Sequence, residues 1–173
     1  MCAAPGGKST AIGAALKGEG LLISNDISKS RAKALLRNLE GFGIINSIVV
    51  SEYPEKLSRY FPEFFDKVLI DAPCSGEGMF HKEPSMTESW LRMGPEEYHK
   101  LQMEILTYGA KMVRPGGKLI YSTCTFSPEE DEGSIAWFLR EHPDFHLVEV
   151  DDDEDLCGCH CIDHGHPEWA DGN

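Results

Sequence analysis

Phe65-Asp-Lys-Val-Leu-Ile-Asp71-Ala-Pro-Cys-Ser-Gly-Glu-Gly78 is a short apolar run that ends abruptly in an acid, a proline, a cysteine and two glycines. An apolar run of this length, bounded by turn residues, reads as a buried strand over Phe65–Asp71. The loop that follows stands at the strand's C-terminal end, where parallel α/β sheets bind their ligands.

Outward from this stretch the same alternation repeats. Gly20–Ser24 reads as a strand ending at Asn25-Asp26, and Ser28 caps a helix from Lys29 to Leu39 that Gly41 and Gly43 end. Ser47–Val50 is a further strand. Pro95 opens a long helix to about Val113, with Tyr98, Leu101, Ile105, Leu106 and Met112 on a helical repeat. Arg114-Pro-Gly-Gly117 stops it, and Lys118–Ser122 is the fourth strand. Ser127 caps, and Pro128 starts, another helix to Glu141, with Glu129 to Glu132 suited to its positive end. Phe145–Val150 is expected as a fifth strand. Short apolar strands alternating with helices predict an α/β protein with a parallel, doubly wound sheet.

The chain has 173 residues, with 16 Lys+Arg against 29 Asp+Glu and a formal net charge of −13. That length suits about one domain. Residues 149–173 hold nine acidic residues and no Lys or Arg, so residues 1–148 are only mildly negative. The expected organisation is a core over 1–150 and an acidic, Cys/His-containing loop or tail over 151–173. No apolar run reaches the ~18 residues of a membrane span, and no signal-peptide pattern opens the chain. A cytoplasmic protein is expected, with its six cysteines as thiols. The acidity argues against a self-sufficient nucleic-acid binder.

Met1-Cys-Ala-Ala-Pro-Gly-Gly-Lys8 is a Gly-rich turn entering a helix over Lys8–Leu16. Its glycines allow close backbone approach, and the helix N-terminus offers free N–H groups. It matches neither Gly-x-Gly-x-x-Gly nor a P-loop. Such a turn follows the central strand of a nucleotide-binding sheet, and at most Met1–Ala3 of that strand are present. The expectation is a fragment, cut at its first strand and short of its last ones. Asp26, 19 residues after Gly7, stands where an acid takes ribose hydroxyls, or where it simply caps a helix. Cys74 and Cys124 (in Tyr121-Ser-Thr-Cys-Thr125) end two strands in like fashion, which points to thiol chemistry; inert buried cysteines are the alternative.

Together, Cys2-Ala-Ala-Pro-Gly-Gly-Lys8, Asn25-Asp-Ile27, Asp71–Gly78 and Ser122-Thr-Cys-Thr125 resemble the successive motifs of the Fmu/Sun-type RNA cytosine-5 methyltransferases. Gly76-Glu-Gly-Met-Phe80 and Pro167-Glu-Trp-Ala170 are most similar to the bacterial ribosomal small-subunit methyltransferase F branch. The resemblance implies a Rossmann-like sheet using S-adenosyl-L-methionine, with RNA, ribosomal by expectation, as partner, and a monomer. It implies Cys124 as nucleophile, Cys74 as the helper in product release, Asp71 near cytosine N3 and Lys8 near the site. It implies Ala4, Pro5, Gly6, Gly7, Lys8, Asp26, Arg31, Asp71 and Pro73 as cofactor-binding residues. The family's Asp after its third strand is missing here, so Ser51 or Glu52 would substitute at the adenine.

The chemistry explains these residue types. Cytosine C5 is a poor nucleophile until a thiolate adds at C6 and makes it enamine-like. An acid hydrogen-bonded at N3 stabilises charge developing on the ring, and the base must leave its stack to reach the site. The competing readings are a non-catalytic RNA- or protein-binding relic and a DNA cytosine methyltransferase, against which Ser122-Thr-Cys124 speaks. His81 and Lys82, and the face carrying Lys29, Arg31, Lys33 and Arg37, are RNA-contact candidates or plain solvated surface. Cys157, Cys159, His160, Cys161, His164 and His166 have a zinc-like composition, but not the usual paired spacing; no metal is expected.

Overall fold

The computed structural model describes residues 1–149 and 165–170. They fall into two compact units, one of Met1–Pro73 with Glu104–Thr123 and one of Cys74–Met103 with Cys124–Asn173.

The first unit carries the sheet. Helix α1 (Gly7–Leu16), strand β1 (Leu22–Asn25), helix α2 (Lys29–Gly41), strand β2 (Ser47–Val50), helix α3 (Pro54–Tyr60) and strand β3 (Phe65–Asp71) follow in order. Helix α4 spans Met86–Met112 and gives its residues from Glu104 to this unit, before strand β4 (Val113–Ser122). The ladders are parallel, β1 with β2 and β3 with β4, as two two-stranded sheets. Met1–Ala3 stands where a central strand would run: Ala3 N donates to Asn25 O at 2.8 Å, and Asp71 N donates to Met1 O at 3.2 Å. The C-terminal ends of β1 and β3 are thus each met by main chain.

Ser28 caps α2 as read, accepting from Arg31 N at 3.5 Å. Leu35 and Leu39, four apart on α2, are fully buried and gather Ala3, Ala4, Leu22, Ile44 and Val49 around them. Each such leucine contributes roughly 1.5–3 kcal/mol by leaving water. Ile70 and Leu119 pack against Gly109 of α4, where a Cβ would stand 2.7 Å from Ile70 Cδ1. Strand β4 begins five residues earlier than expected, because Val113 pairs with Phe65 before the chain bulges through Arg114–Gly117; the regular ladder resumes at Lys118, opposite Lys67. Helix α3 was not legible in the sequence. It is a single amphipathic stretch of seven residues with Pro54 at its start, too short for a periodic signal.

The second unit holds a 3₁₀ turn (Glu77–Met79), the first part of α4, helix α5 (Glu132–Glu141) and one helical turn, α6 (Pro167–Ala170). Pro95 does open a helix, but a further helical stretch precedes it from Met86, and the two meet at Gly94, whose φ of 69° only glycine adopts without cost.

Two expectations fail here. Helix α5 starts at Glu132 rather than at Pro128. Glu130 N and Asp131 N both donate to Ser127 O at 3.1 Å, making a turn whose Glu130 side chain is drawn inside. Phe145–Glu149 joins no strand: Phe145 packs its ring on Phe138 of α5 at 5.1 Å, while Leu147 and Val148 are exposed. Val150 lies outside the described residues. In the segment expected as loop or tail, Pro167–Ala170 is helical and His166 N donates to Glu132 Oε1 at 3.3 Å. Cys157, Cys159, His160, Cys161 and His164 lie outside the described residues. Among the described residues no helix is long and apolar enough to cross a membrane.

Candidate active site

In the first unit the Gly-rich turn is held from below by Asp26, whose side chain is 2% exposed. Its Oδ2 accepts from Ala4 N at 3.3 Å and lies 3.4 Å from the Arg31 guanidinium; its Oδ1 accepts from Ser28 N at 3.0 Å. Arg31 reaches back to donate to Ala4 O at 2.8 Å, and Asn38 Nδ2 donates to Pro5 O at 2.7 Å. The structure therefore brings Ala4, Pro5, Asp26 and Arg31 into one network. Gly6 precedes α1 with φ 117°, and a Cβ there would stand 2.9 Å from Leu35 Cδ1. Gly7 begins α1 with open space before it and no side chain capping the helix. An uncapped helix N-terminus beside an acidic strand end suits the carboxylate and ribose ends of a nucleoside-amino-acid ligand.

Lys8 Nζ lies 2.6 Å from Asp71 Oδ1, which also accepts from Ser122 Oγ at 3.1 Å. Both partners of this ion pair reach solvent, so it contributes at most about 1 kcal/mol and leaves the groups available to a ligand. Asn25 ties the ends of β1 and β2 together: Nδ2 donates to Glu52 O at 3.0 Å, and Oδ1 accepts from Glu52 N at 2.9 Å. The Glu52 carboxylate itself turns to Lys56 at 2.7 Å rather than to the Ala4–Asp26 network. Pro73 ends this unit.

The second unit holds both thiols. Cys74 Sγ and Cys124 Sγ are 3.2 Å apart, and Cys124 N donates to Cys74 Sγ at 3.3 Å. Cys124 is exposed and Cys74 is buried, at 7%. Burial, with the neighbouring Cys124 thiol and Glu130, pushes the Cys74 thiol up to about 12, so it keeps its proton at neutral pH. The two segments touch closely: Gly78 N donates to Cys124 O at 2.9 Å, and a Cβ on Gly78 would stand 2.9 Å from that same oxygen.

Two carboxylates that sequence reasoning passed over frame this pair. Glu130 is fully buried and accepts from Ser75 N at 3.0 Å and from Gln102 Nε2 at 2.7 Å. Glu77 accepts from Trp90 Nε1 at 3.0 Å and from Phe126 N at 3.4 Å. Glu130 sits in a run of acids that reads as a helix-start charge pattern, and nothing in the sequence marks which of them turns inward.

Among the described residues no group of His, Cys, Asp and Glu could hold a metal ion.

A family model described as 16S rRNA methyltransferase RsmB/F matches residues 1–160. The ribosomal RNA small subunit methyltransferase F of Escherichia coli (strain K12) is 38% identical over 144 residues, covering 83% of this chain and 30% of that protein. The chain thus spans about a third of the length of the curated relatives it matches. Among solved structures, that of PH0851 aligns at TM-score 0.79 and 37% identity, over 86% of this chain and 34% of that one. NSun6 from Pyrococcus horikoshii, solved with SFG, aligns at TM-score 0.71 and 33% identity, over 82% and 36%.

Proposed function

The chain belongs to the 16S rRNA methyltransferase RsmB/F family, and from that premise we propose that it carries methyl transfer from S-adenosylmethionine to cytosine C5 in RNA, with small-subunit ribosomal RNA as substrate. A cytoplasmic location goes with that reading. The observation that carries it is the thiol pair: two cysteines from separate strand ends, Sγ to Sγ 3.2 Å, one exposed and one buried.

The residues divide the work by their surroundings. Cys124, open to solvent, is the nucleophile: its thiolate adds to cytosine C6, and the ring's electrons move to C5. S-adenosylmethionine, when bound, supplies the methyl group that C5 takes. A base then removes the C5 proton, and Cys124 leaves C6 as thiolate. Cys74, held protonated by burial, stays out of the addition and serves the release step. Asp71, paired with Lys8 Nζ, would face cytosine N3. The uncapped end of α1 at Pro5–Lys8 would hold the cofactor's amino-acid end. Ala4, Asp26, Arg31, Glu52, Asp71 and Pro73 complete the cofactor set. Asp26 acts there first as the clamp on the turn, because each of its oxygens already accepts a protein hydrogen, Oδ2 from Ala4 N and Oδ1 from Ser28 N. The relative solved with SFG, an S-adenosylmethionine analogue, supports that choice of cofactor.

The test is calorimetric titration with S-adenosylmethionine, then methyl transfer to ribosomal RNA by wild type, Cys124→Ala and Cys74→Ala. Cys124→Ala should be inactive, and Cys74→Ala should accumulate a covalent RNA adduct. Turnover by Cys124→Ala with none by Cys74→Ala would reverse the assignment. Absence of cofactor binding by a folded chain would favour the non-catalytic reading.

A further inference from the structure

We propose that Glu77 and Glu130 are the positioning residues of the thiol pair, two carboxylates that brace the Cys74 loop and the Cys124 segment against each other in opposite directions. Glu77 lies three residues after Cys74 and reaches across to the residues that follow Cys124: its Oε2 accepts from Phe126 N and from Thr125 Oγ1, both at 3.4 Å. Glu130 lies six residues after Cys124 and reaches back to the residue that follows Cys74: Ser75 N donates to Oε1 at 3.2 Å and to Oε2 at 3.0 Å. Each carboxylate is anchored again on α4, Glu77 by Trp90 Nε1 and Glu130 by Gln102 Nε2. Between the braces, Ser75 Oγ and Thr125 Oγ1 are 2.8 Å apart, and Gly78 N holds Cys124 O.

The energetics argue against a fortuitous arrangement. A carboxylate with no exposed surface is costly to bury and persists only when donors surround it. A loop that needed only to be held down could use neutral partners. Here a full charge is spent on the amide next to Cys74, so the position of that amide is over-determined. The consequence is a fixed sulfur-to-sulfur distance, and reactions that depend on a fixed approach fall steeply when it loosens. The bearing on catalysis rests on the proposed methyl transfer; the bracing itself does not.

The experiment compares wild type with Glu130→Gln, Glu77→Gln and the exchange Glu130→Gln/Gln102→Glu. Glu130→Gln keeps the volume, but its amide must turn N–H groups toward Ser75 N or Gln102 Nε2, both donors. The exchange gives each donor an acceptor again. The first readout needs no substrate: diamide takes two hydrogens from Cys74 and Cys124, forming their disulfide and a hydrazine, followed by mass spectrometry of the linked peptides. Each single variant should close this disulfide about tenfold more slowly, and the exchange should restore most of the rate. Removing the Glu130 charge would by itself ease Cys74 ionisation and speed closure, so slowing reports position rather than charge. The second readout is kcat for methyl transfer, expected to fall in the single variants with KM for S-adenosylmethionine unchanged.

Closure within twofold of wild type in the folded single variants would overturn the bracing, and slowed closure with unaltered kcat would overturn its bearing on catalysis. Should Glu130→Gln fail to fold, Glu77→Gln decides alone, since its side chain is only partly buried. If wild type transfers no methyl group, the functional reading fails while the disulfide rates still decide the bracing.

Discussion

Asp26→Asn is the substitution whose outcome the geometry constrains most tightly. Asparagine matches aspartate in shape, so no cavity forms and the effect is read in hydrogen bonds. The carboxylate accepts from Ala4 N and Ser28 N and faces Arg31. The amide keeps one acceptor and turns an N–H pair toward the other donors. Charged hydrogen bonds contribute ~1.5–3 kcal/mol and neutral ones ~0.5–1.5, so each retained or replaced bond weakens by about 1 kcal/mol. One buried N–H left facing another donor adds ~1–3 kcal/mol, partly offset by relief from burying a charge. The expected net loss is about 2–4 kcal/mol, a fall of roughly 5–12 °C in Tm for a chain of this length. Urea unfolding and a thermal scan of the purified chain measure it. Arg31→Ala is the control: its side chain is 60% exposed, so solvent screening limits the loss to under about 1 kcal/mol. Affinity for S-adenosylmethionine should fall in Asp26→Asn, since the turn at Ala4 loses its clamp. A loss below about 1 kcal/mol, or one no larger than that of Arg31→Ala, would refute the view that Asp26 holds the turn.

Gly78→Ala should cost about 1–3 kcal/mol, because the new methyl must push the Cys124 carbonyl aside from 2.9 Å; its urea midpoint and the Cys74–Cys124 disulfide rate should both fall, and an unchanged disulfide rate would show that the two segments yield freely. Cys74, pushed up to about 12, should resist iodoacetamide at pH 8 while exposed Cys124 reacts, and its labelling should rise only in strong alkali; equal labelling at pH 8 would sink the assignment of Cys74 as the protonated partner. The raised value also makes stability fully present below the unfolded thiol's pKa near 8.5 and lost as pH climbs toward 12, so Cys74→Ala should flatten that alkaline decline. Burial holds the His99 imidazole below its ordinary value, and its Nδ1 lies 2.9 Å from Ser134 Oγ. Its contribution is present above the ordinary value near 6.5 and lost as pH falls through the lower one, so His99→Gln should lessen the acid destabilisation seen by circular dichroism; an unaltered acid limb would contradict this.

Much of the chain was legible as sequence because its determinants are local. Ser47–Val50 and Phe65–Asp71 are strands with the bounds read from their apolar runs, and Ser28 caps α2 because a serine hydroxyl can reach the amide three residues on. The motifs at Ala4–Lys8, Asp71–Cys74 and Cys124 also stand out in the chain, because each is a contiguous run whose residue types can be read without knowing its partners. The failures are those where a distant partner decides. Ser127 to Asp131 has every local mark of a helix start, yet Glu130 forms a better bond to Ser75, far away in sequence, and the helix waits until Glu132. Phe145 and the residues after it have the composition of a strand, but a strand exists only by pairing, and Phe145 finds Phe138 instead.

Periodicity and caps in the chain carried the α/β class of fold, and the resemblance of its contiguous motifs carried the family. The tertiary structure alone divides the Asp26 oxygens, Oδ2 on Ala4 N of the turn and Oδ1 on Ser28 N before α2. Likewise, only it set Cys74 and Cys124 within 3.2 Å and chose Glu77 and Glu130, among 29 acidic residues, to brace them. For Asp26 and Glu130 the cause is that a buried carboxylate goes where donors from remote parts of the chain meet, and no local pattern records that meeting.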